Sequence, residues 1–148
     1  MKATKLFANL LILGITLCSY SGFAQKSPGN AEKEKLVNNY YEAYVKKDWH
    51  ELELILADEF TFTSPNGDDH IDLNTYKERC WPNAQNTKRF ELEKLVIDGD
   101  NAFVIYNGLT NKGEIFRNTE YFKFKNGKIV SNECFFGPGK SFPNNTKK

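Results

Sequence analysis

Residues 117–137 read RNTEYFKFKNGKIVSNECFFG, two strand-like runs around an Asn-Gly turn. Glu120, Phe122 and Phe124 alternate with Tyr121, Lys123 and Lys125. A period of two therefore sets one carboxylate in line with two phenylalanines. An ionised carboxylate on an apolar face costs several kcal/mol unless it is paired, hydrogen-bonded or protonated. Glu120 is thus the residue whose surroundings have to be explained.

The hairpin register decides what faces it. A two-residue Asn-Gly loop pairs Glu120 with Glu133, whereas a three-residue loop with a glycine bulge pairs it with Asn132. The bulged register sets Val130, Cys134 and Phe136 beside Phe116, Phe122 and Phe124 and leaves Glu133 outside. The tight one offers only Ile129 and Phe135 and juxtaposes two carboxylates. Asn132 is the expected neighbour, with Glu133 as the second choice.

Upstream, Leu36, Tyr40, Ala43 and Tyr44 recur at helical spacing over 31–47, with Val37 and Tyr41 beside them. Asp48 and Glu51 make a capping-box pattern that opens a second helix with Trp49, Leu52, Ile55 and Leu56 on one face. EFTFTSPNGDD, residues 59–69, is a strand ended by turn residues, with Phe60, Phe62 and Ser64 on one face. A short helix is predicted over 72–81, aligning Leu73, Tyr76 and Cys80 and closed by Pro82. Strands follow to the end, and the apolar phase of 89–97 slips near Lys94, which predicts a bulge. Helices first and an antiparallel meander second define an α+β domain.

Residues 1–24 combine Lys2 and Lys5, an apolar run over 6–18 and a Gly22-Phe23-Ala24 cleavage pattern. They read as a signal peptide cut after Ala24, hence export to the periplasm or beyond. Lipidation at Cys18 has less support because Leu17 stands where a small residue is expected. Residues 25–35 form a linker and the start of the first helix, 36–137 the domain and 138–148 a polar tail. Removing Lys2 and Lys5 leaves 18 basic and 19 acidic residues, a net charge of −1. That balance calls for neither nucleic acid nor, after signal removal, a membrane surface. Two histidines and no CxxC or HExxH spacing give a metal centre or other cofactor no support. Cys80 and Cys134 read as two half-buried thiols, although export would permit a disulfide.

The order of elements, with YYEAYVKKDWHELELILADEFTFTSPNG (40–67) and EYFKFKNGKIVSNECFFG (120–137), resembles the nuclear-transport-factor-2-like superfamily, closest to its SnoaL-like and ketosteroid isomerase-like members. The resemblance implies a curved sheet wrapped around the helices as a cone with a deep, mostly apolar pocket, and often a homodimer. It implies that Tyr40 matches the tyrosine donating a hydrogen bond to an oxyanion, and that Glu120 stands where the isomerases keep a protonated aspartic acid. Their general-base aspartate is here Ser64, so ketosteroid isomerase activity is not expected.

Glu120 would then stay protonated and serve a ligand oxygen with Tyr40, in a pocket lined by Phe62, Phe122 and Phe136, with Ser64, Asn132 and a capping Trp81. The bland alternative pairs Glu120 with Arg89 or Arg117, or only with Tyr40 and Ser64. Asp68-Asp69-His70, in the loop after the first strand, could replace the missing base through Asp69 or His70, or else form a solvated polar turn. Three functions fit: a small-molecule binding protein, an acid–base enzyme acting on a carbonyl compound, or a dimeric interaction module using Tyr121 and Phe135.

Overall fold

The computed structural model describes residues 29–136; the expected signal peptide over 1–24 and the polar tail fall among residues 1–28 and 137–148, which lie outside the described residues. Helix α1, Asn30–Lys46, begins with the Gly29 N–H donating to the Glu32 carboxylate at 2.9 Å and stops at Lys47 in the left-handed region. Its inward stripe is Lys33, Val37, Tyr40, Tyr41 and Ala43. Lys33 is buried because its ammonium reaches Asp100 at 2.9 Å and the Gly99 carbonyl at 2.6 Å. That pins the helix start to a turn of the sheet. Helix α2, Trp49–Ile55, is capped as the sequence predicts, with Asp48 accepting from the Glu51 N–H.

Strand β1, Leu56–Ser64, and strand β2, Asp68–Asp72, precede helix α3, Leu73–Arg79. A 3-10 turn, Trp81–Asn86, then leads to strands β3, Thr87–Asp98, β4, Asn101–Thr110, β5, Ile115–Lys125, and β6, Lys128–Phe135. Pro82 therefore starts this extra turn instead of closing α3, as a proline tolerated at the first positions of a helix can. β2 falls where the sequence suggested only a turn; its polar residues carry no alternating pattern.

The sheet order is β2-β1-β6-β5-β4-β3. β3 to β6 form the expected antiparallel meander, but β1 joins β6 in parallel. The six strands form one curved, unclosed sheet. The phase slip in β3 is a bulge between Leu92 and Lys94, as the sequence indicated. Phe60, Phe62, Val104, Phe122, Phe124 and Ile129 pack from the sheet against Val37, Tyr40, Tyr41 and Leu52 from the helices.

The last hairpin corrects both sequence registers. Asn126 and Gly127 both take positive φ, so the loop is the tight two-residue turn, with Lys125 opposite Lys128 and Phe124 opposite Ile129. A bulge then falls between Lys123 and Phe124, spanning Val130 on the partner strand. Beyond it Phe122 faces Asn132 and Glu120 faces Cys134. The slip lets Ile129 fill the core near the turn while Asn132 and Cys134 face inward farther along. Val130 is displaced from the inward set, and Glu133 stays outside beside Lys123.

Candidate functional site

Glu120 is buried on the concave face and accepts three hydrogen bonds. Tyr41 donates to Oε2 at 2.9 Å, Tyr106 to Oε1 at 2.9 Å, and the Asn132 amide to Oε2 at 3.1 Å. Asn132 thus reaches Glu120 diagonally although Cys134 is its direct cross-strand neighbour. Burial raises the Glu120 pKa above the usual carboxylate range, and the hydrogen bonds from Tyr41, Asn132 and Tyr106 offset only part of that rise. Neither arginine reaches it: Arg117 pairs with Glu93, and Arg89 is exposed.

Tyr40 is not one of the donors. Its hydroxyl shares a 2.6 Å hydrogen bond with Tyr76, which also bonds Tyr44. Adjacent helical residues lie about 100° apart, so Tyr40 and Tyr41 both point inward but toward different ends of the sheet. Tyr40 meets α3, whereas Tyr41 meets Phe90 and Tyr106. Burial holds the hydroxyls of Tyr40, Tyr41, Tyr76 and Tyr106 protonated, far above their usual pKa.

A cavity of about 290 Å³ opens beside these groups, near the lower end of the ligand-pocket range. Rings of Tyr40, Tyr41, Tyr44, Phe62, Phe90, Tyr106, Phe116 and Phe136 line it, with Glu120 among them. Ser64, Asn66, Asp68, Cys80, Asn83, Asn86, Thr87, Thr110, Asn118 and Cys134 supply the polar part of the wall. Among the described residues, no lysine, arginine or histidine lines it.

Of the residues proposed from sequence, Tyr40, Glu120, Phe62, Ser64 and Phe136 share this cavity. Phe122 is fully buried behind Tyr40 and Tyr41, and Asn132 touches Glu120 from inside the core. Trp81 packs on Tyr44 and Trp49 and acts as support for the wall, not as its cap. Asp69 and His70 pair with each other in solvent, with side chains 88% and 70% exposed. The residue of this run that faces the cavity is Asp68, at the start of β2, where it pairs with Ser64, while His70 takes a positive φ. Ser64 donates to Asp68 at 2.6 Å, and Arg79 stands 2.7 Å from the same carboxylate.

Cys80 and Cys134 are free thiols. Burial pushes the Cys80 thiol up to about 11, which keeps it protonated and poorly nucleophilic near neutrality. Among the described residues, no group of three or more His, Cys, Asp or Glu could hold a metal ion, and no helix is long and apolar enough to cross a membrane.

Tyr41 and Tyr106 are cavity residues that sequence reasoning missed, and within the Asp68-Asp69-His70 run it singled out Asp69 and His70 where Asp68 lines the cavity. Tyr106 carried a signal: it shares the inward parity of Ala102 and Val104, and a buried tyrosine hydroxyl needs a partner. Gly108, next on that face, lies directly opposite Phe116. A Cβ there would sit 2.1 Å from the Phe116 ring. Gly108→Ala should therefore push this ring out of the wall and cost about 1–3 kcal/mol, measurable as a lower urea midpoint.

The open curved sheet with helices on its inner side is the fold of the nuclear-transport-factor-2-like class. The SnoaL-like domain family matches residues 37–132, more than half of the chain, and the protein belongs to that family. Among curated protein sequences none matches. Similar solved structures include a cystatin-like-fold protein of unknown function from Methylobium petroleophilum, 17% identical at a TM-score of 0.67, covering 78% of this chain and 82% of that one. A putative ketosteroid isomerase from Kribbella flavida is 17% identical at a TM-score of 0.63, covering 76% and 83%. An NTF2-like protein of unknown function from Cytophaga hutchinsonii is 22% identical at 0.57, covering 71% and 89%. At these identities the likeness concerns the fold alone.

Proposed function

We propose that the protein is an exported binding protein for a small, uncharged and largely apolar molecule. Its carbonyl or phenolic oxygen is held by the protonated carboxyl of Glu120. The observation carrying this reading is a carboxyl raised in pKa by burial, at a ring-lined cavity with no cation in its wall. A neutral acid can donate where a carboxylate cannot, and a site with little water strengthens that bond. Tyr41 and Tyr106 take the place expected for Tyr40 beside Glu120, while Tyr40 supplies wall. Membership of the SnoaL-like family supports a small-molecule or enzymatic domain. Export after cleavage at Ala24 rests on the pattern of residues 1–24, and a homodimer through the outer face bearing Tyr121 and Phe135 accompanies the proposal.

Titration with 1-tetralone, an uncharged aromatic ketone, tests the reading through the fluorescence of Trp49 and Trp81. Saturable binding should weaken as pH rises and Glu120 loses its donor proton. In Glu120→Gln, whose amide still donates, the affinity should not change with pH. Absence of saturable binding, or an equal pH dependence in both proteins, would overturn it.

A further inference from the structure

The far side of the same cavity carries polar chemistry opposite to that of Glu120. The Asp68 side chain is 6% exposed and forms part of the wall. Its Oδ2 accepts the Ser64 hydroxyl at 2.6 Å and lies 3.9 Å from the Cys80 thiol. Its Oδ1 lies 2.7 Å from an Arg79 guanidinium nitrogen, yet receives no well-aligned hydrogen bond. Arg79 is half exposed, so this cation balances the charge from the rim. A carboxylate offers about four acceptor positions; Ser64, Cys80 and Arg79 approach three of them, and Asp68 still forms part of the cavity wall. Buried acceptors without a donor are costly, which is a reason for a ligand to supply one.

The other neighbours reach the carboxylate from the wall and the rim: the Cys80 thiol donates weakly to Oδ2 at 3.9 Å, and Arg79 faces Oδ1. Ser64 commits its proton to Asp68 and accepts the Asn66 N–H at 3.2 Å. Across the sheet, Ser64 pairs with Asp68, Thr63 is level with Glu133, and Cys134 faces Glu120. Asp68, Ser64, Cys134 and Glu120 therefore form one transverse row over β2, β1, β6 and β5. Both carboxyl groups line the concave cavity from opposite ends of that row, and aromatic rings form the rest of its wall.

We propose that Asp68 forms a second polar subsite that accepts a hydrogen bond from a hydroxyl or amine of the ligand. The inference rests on the Glu120 reading and adds a direction to it. A ligand fits with an acceptor oxygen at Glu120, an apolar ring body, and an O–H or N–H donor at Asp68. Molecules with a carboxylate or phosphate at the second end are excluded, because that end meets an acceptor.

Three probes of one skeleton test it in the wild-type protein: 1-tetralone, 6-hydroxy-1-tetralone and 6-methoxy-1-tetralone. The hydroxy compound should bind at least about tenfold more tightly than the methoxy one, a ratio worth a single good hydrogen bond to a charged group. Asp68→Asn should shrink that ratio several-fold, because the charged acceptor becomes a neutral amide whose NH2 can also donate to the methoxy oxygen, and the loss should be larger for the hydroxy probe than for 1-tetralone. Equal affinities of the hydroxy and methoxy probes in wild type would overturn the subsite. So would an Asp68→Asn protein that loses all three probes alike, because that loss reports a structural role. If the variant does not fold, the wild-type ratio decides alone. Failure of 1-tetralone itself marks failure of the Glu120 reading, whereas binding of 1-tetralone without a hydroxy preference removes only this subsite.

Discussion

Glu120→Ala should destabilise the fold by about 3–5 kcal/mol, although it removes a group whose burial is itself unfavourable. Three donors lose their acceptor at once: the hydroxyls of Tyr41 and Tyr106 and the amide of Asn132. A buried donor left unsatisfied costs about 1–3 kcal/mol, and water entering the adjoining cavity relieves part of the sum. Glu120→Gln keeps an acceptor and the side-chain shape, so its loss should stay below about 1.5 kcal/mol. Urea midpoints at constant m-value measure both. Equal losses for the two variants would show that the three donors do not depend on this acceptor.

The same residue sets a pH dependence of known sign. The unfolded chain releases the glutamate proton near pH 4.3. Folded Glu120 keeps it to higher pH because of burial. Between those two values the folded state binds more protons, so stability falls as pH rises. Below the window both states are protonated and the contribution is constant. Glu120→Gln lacks this decline, so its stability relative to wild type should improve with pH, by about 1.4 kcal/mol for each unit by which the folded pKa is raised. A difference that stays flat from pH 4 to 8 would mean that Glu120 ionises alike in both states.

Tyr76→Ala should be comparably severe, at about 3–5 kcal/mol. Tyr76 is wholly buried, and its ring centre lies 5.3 Å from Phe60 and 4.9 Å from Phe62. Its hydroxyl also joins Tyr40 to Tyr44. Truncation therefore opens a void behind three residues of the cavity wall, and ketone binding should disappear with the lost stability. Tyr76→Phe keeps the ring and strands two hydroxyls, for a cost of about 1–3 kcal/mol with the pocket preserved. Intact binding in Tyr76→Ala would show that α3 does not support the wall.

The sequence was most legible where a simple period met a partner of the same kind. Alternation in β1 and β5 announced which residues face inward, and the bulge in β3 was visible as a change of phase. It failed at three sorts of place. In α1 the inward stripe is wide enough to hold both Tyr40 and Tyr41, so spacing alone did not separate a donor to Glu120 from a donor to Tyr76. In the hairpin, the turn and the bulge are separate devices, each moving the register by one residue. The residues near the turn and those near Glu120 therefore obey different pairings. Asp68 was hidden for another reason: in a run of three polar residues, only the backbone shows which one turns inward.

The parallel contact between β1 and β6 has a consequence for how the chain reaches this state. β1 ends at Ser64 and its partner begins at Lys128, so the contact closes a long loop, and slow, late formation is expected of such pairings. The hairpins of β3 to β5 can assemble locally, but Ser64 meets the row of Glu120 only after the last strand has been made. A ribosome still holding residues 128–135 therefore carries a chain without its pocket, open to chaperones. Completion of the binding site and completion of folding are one late event.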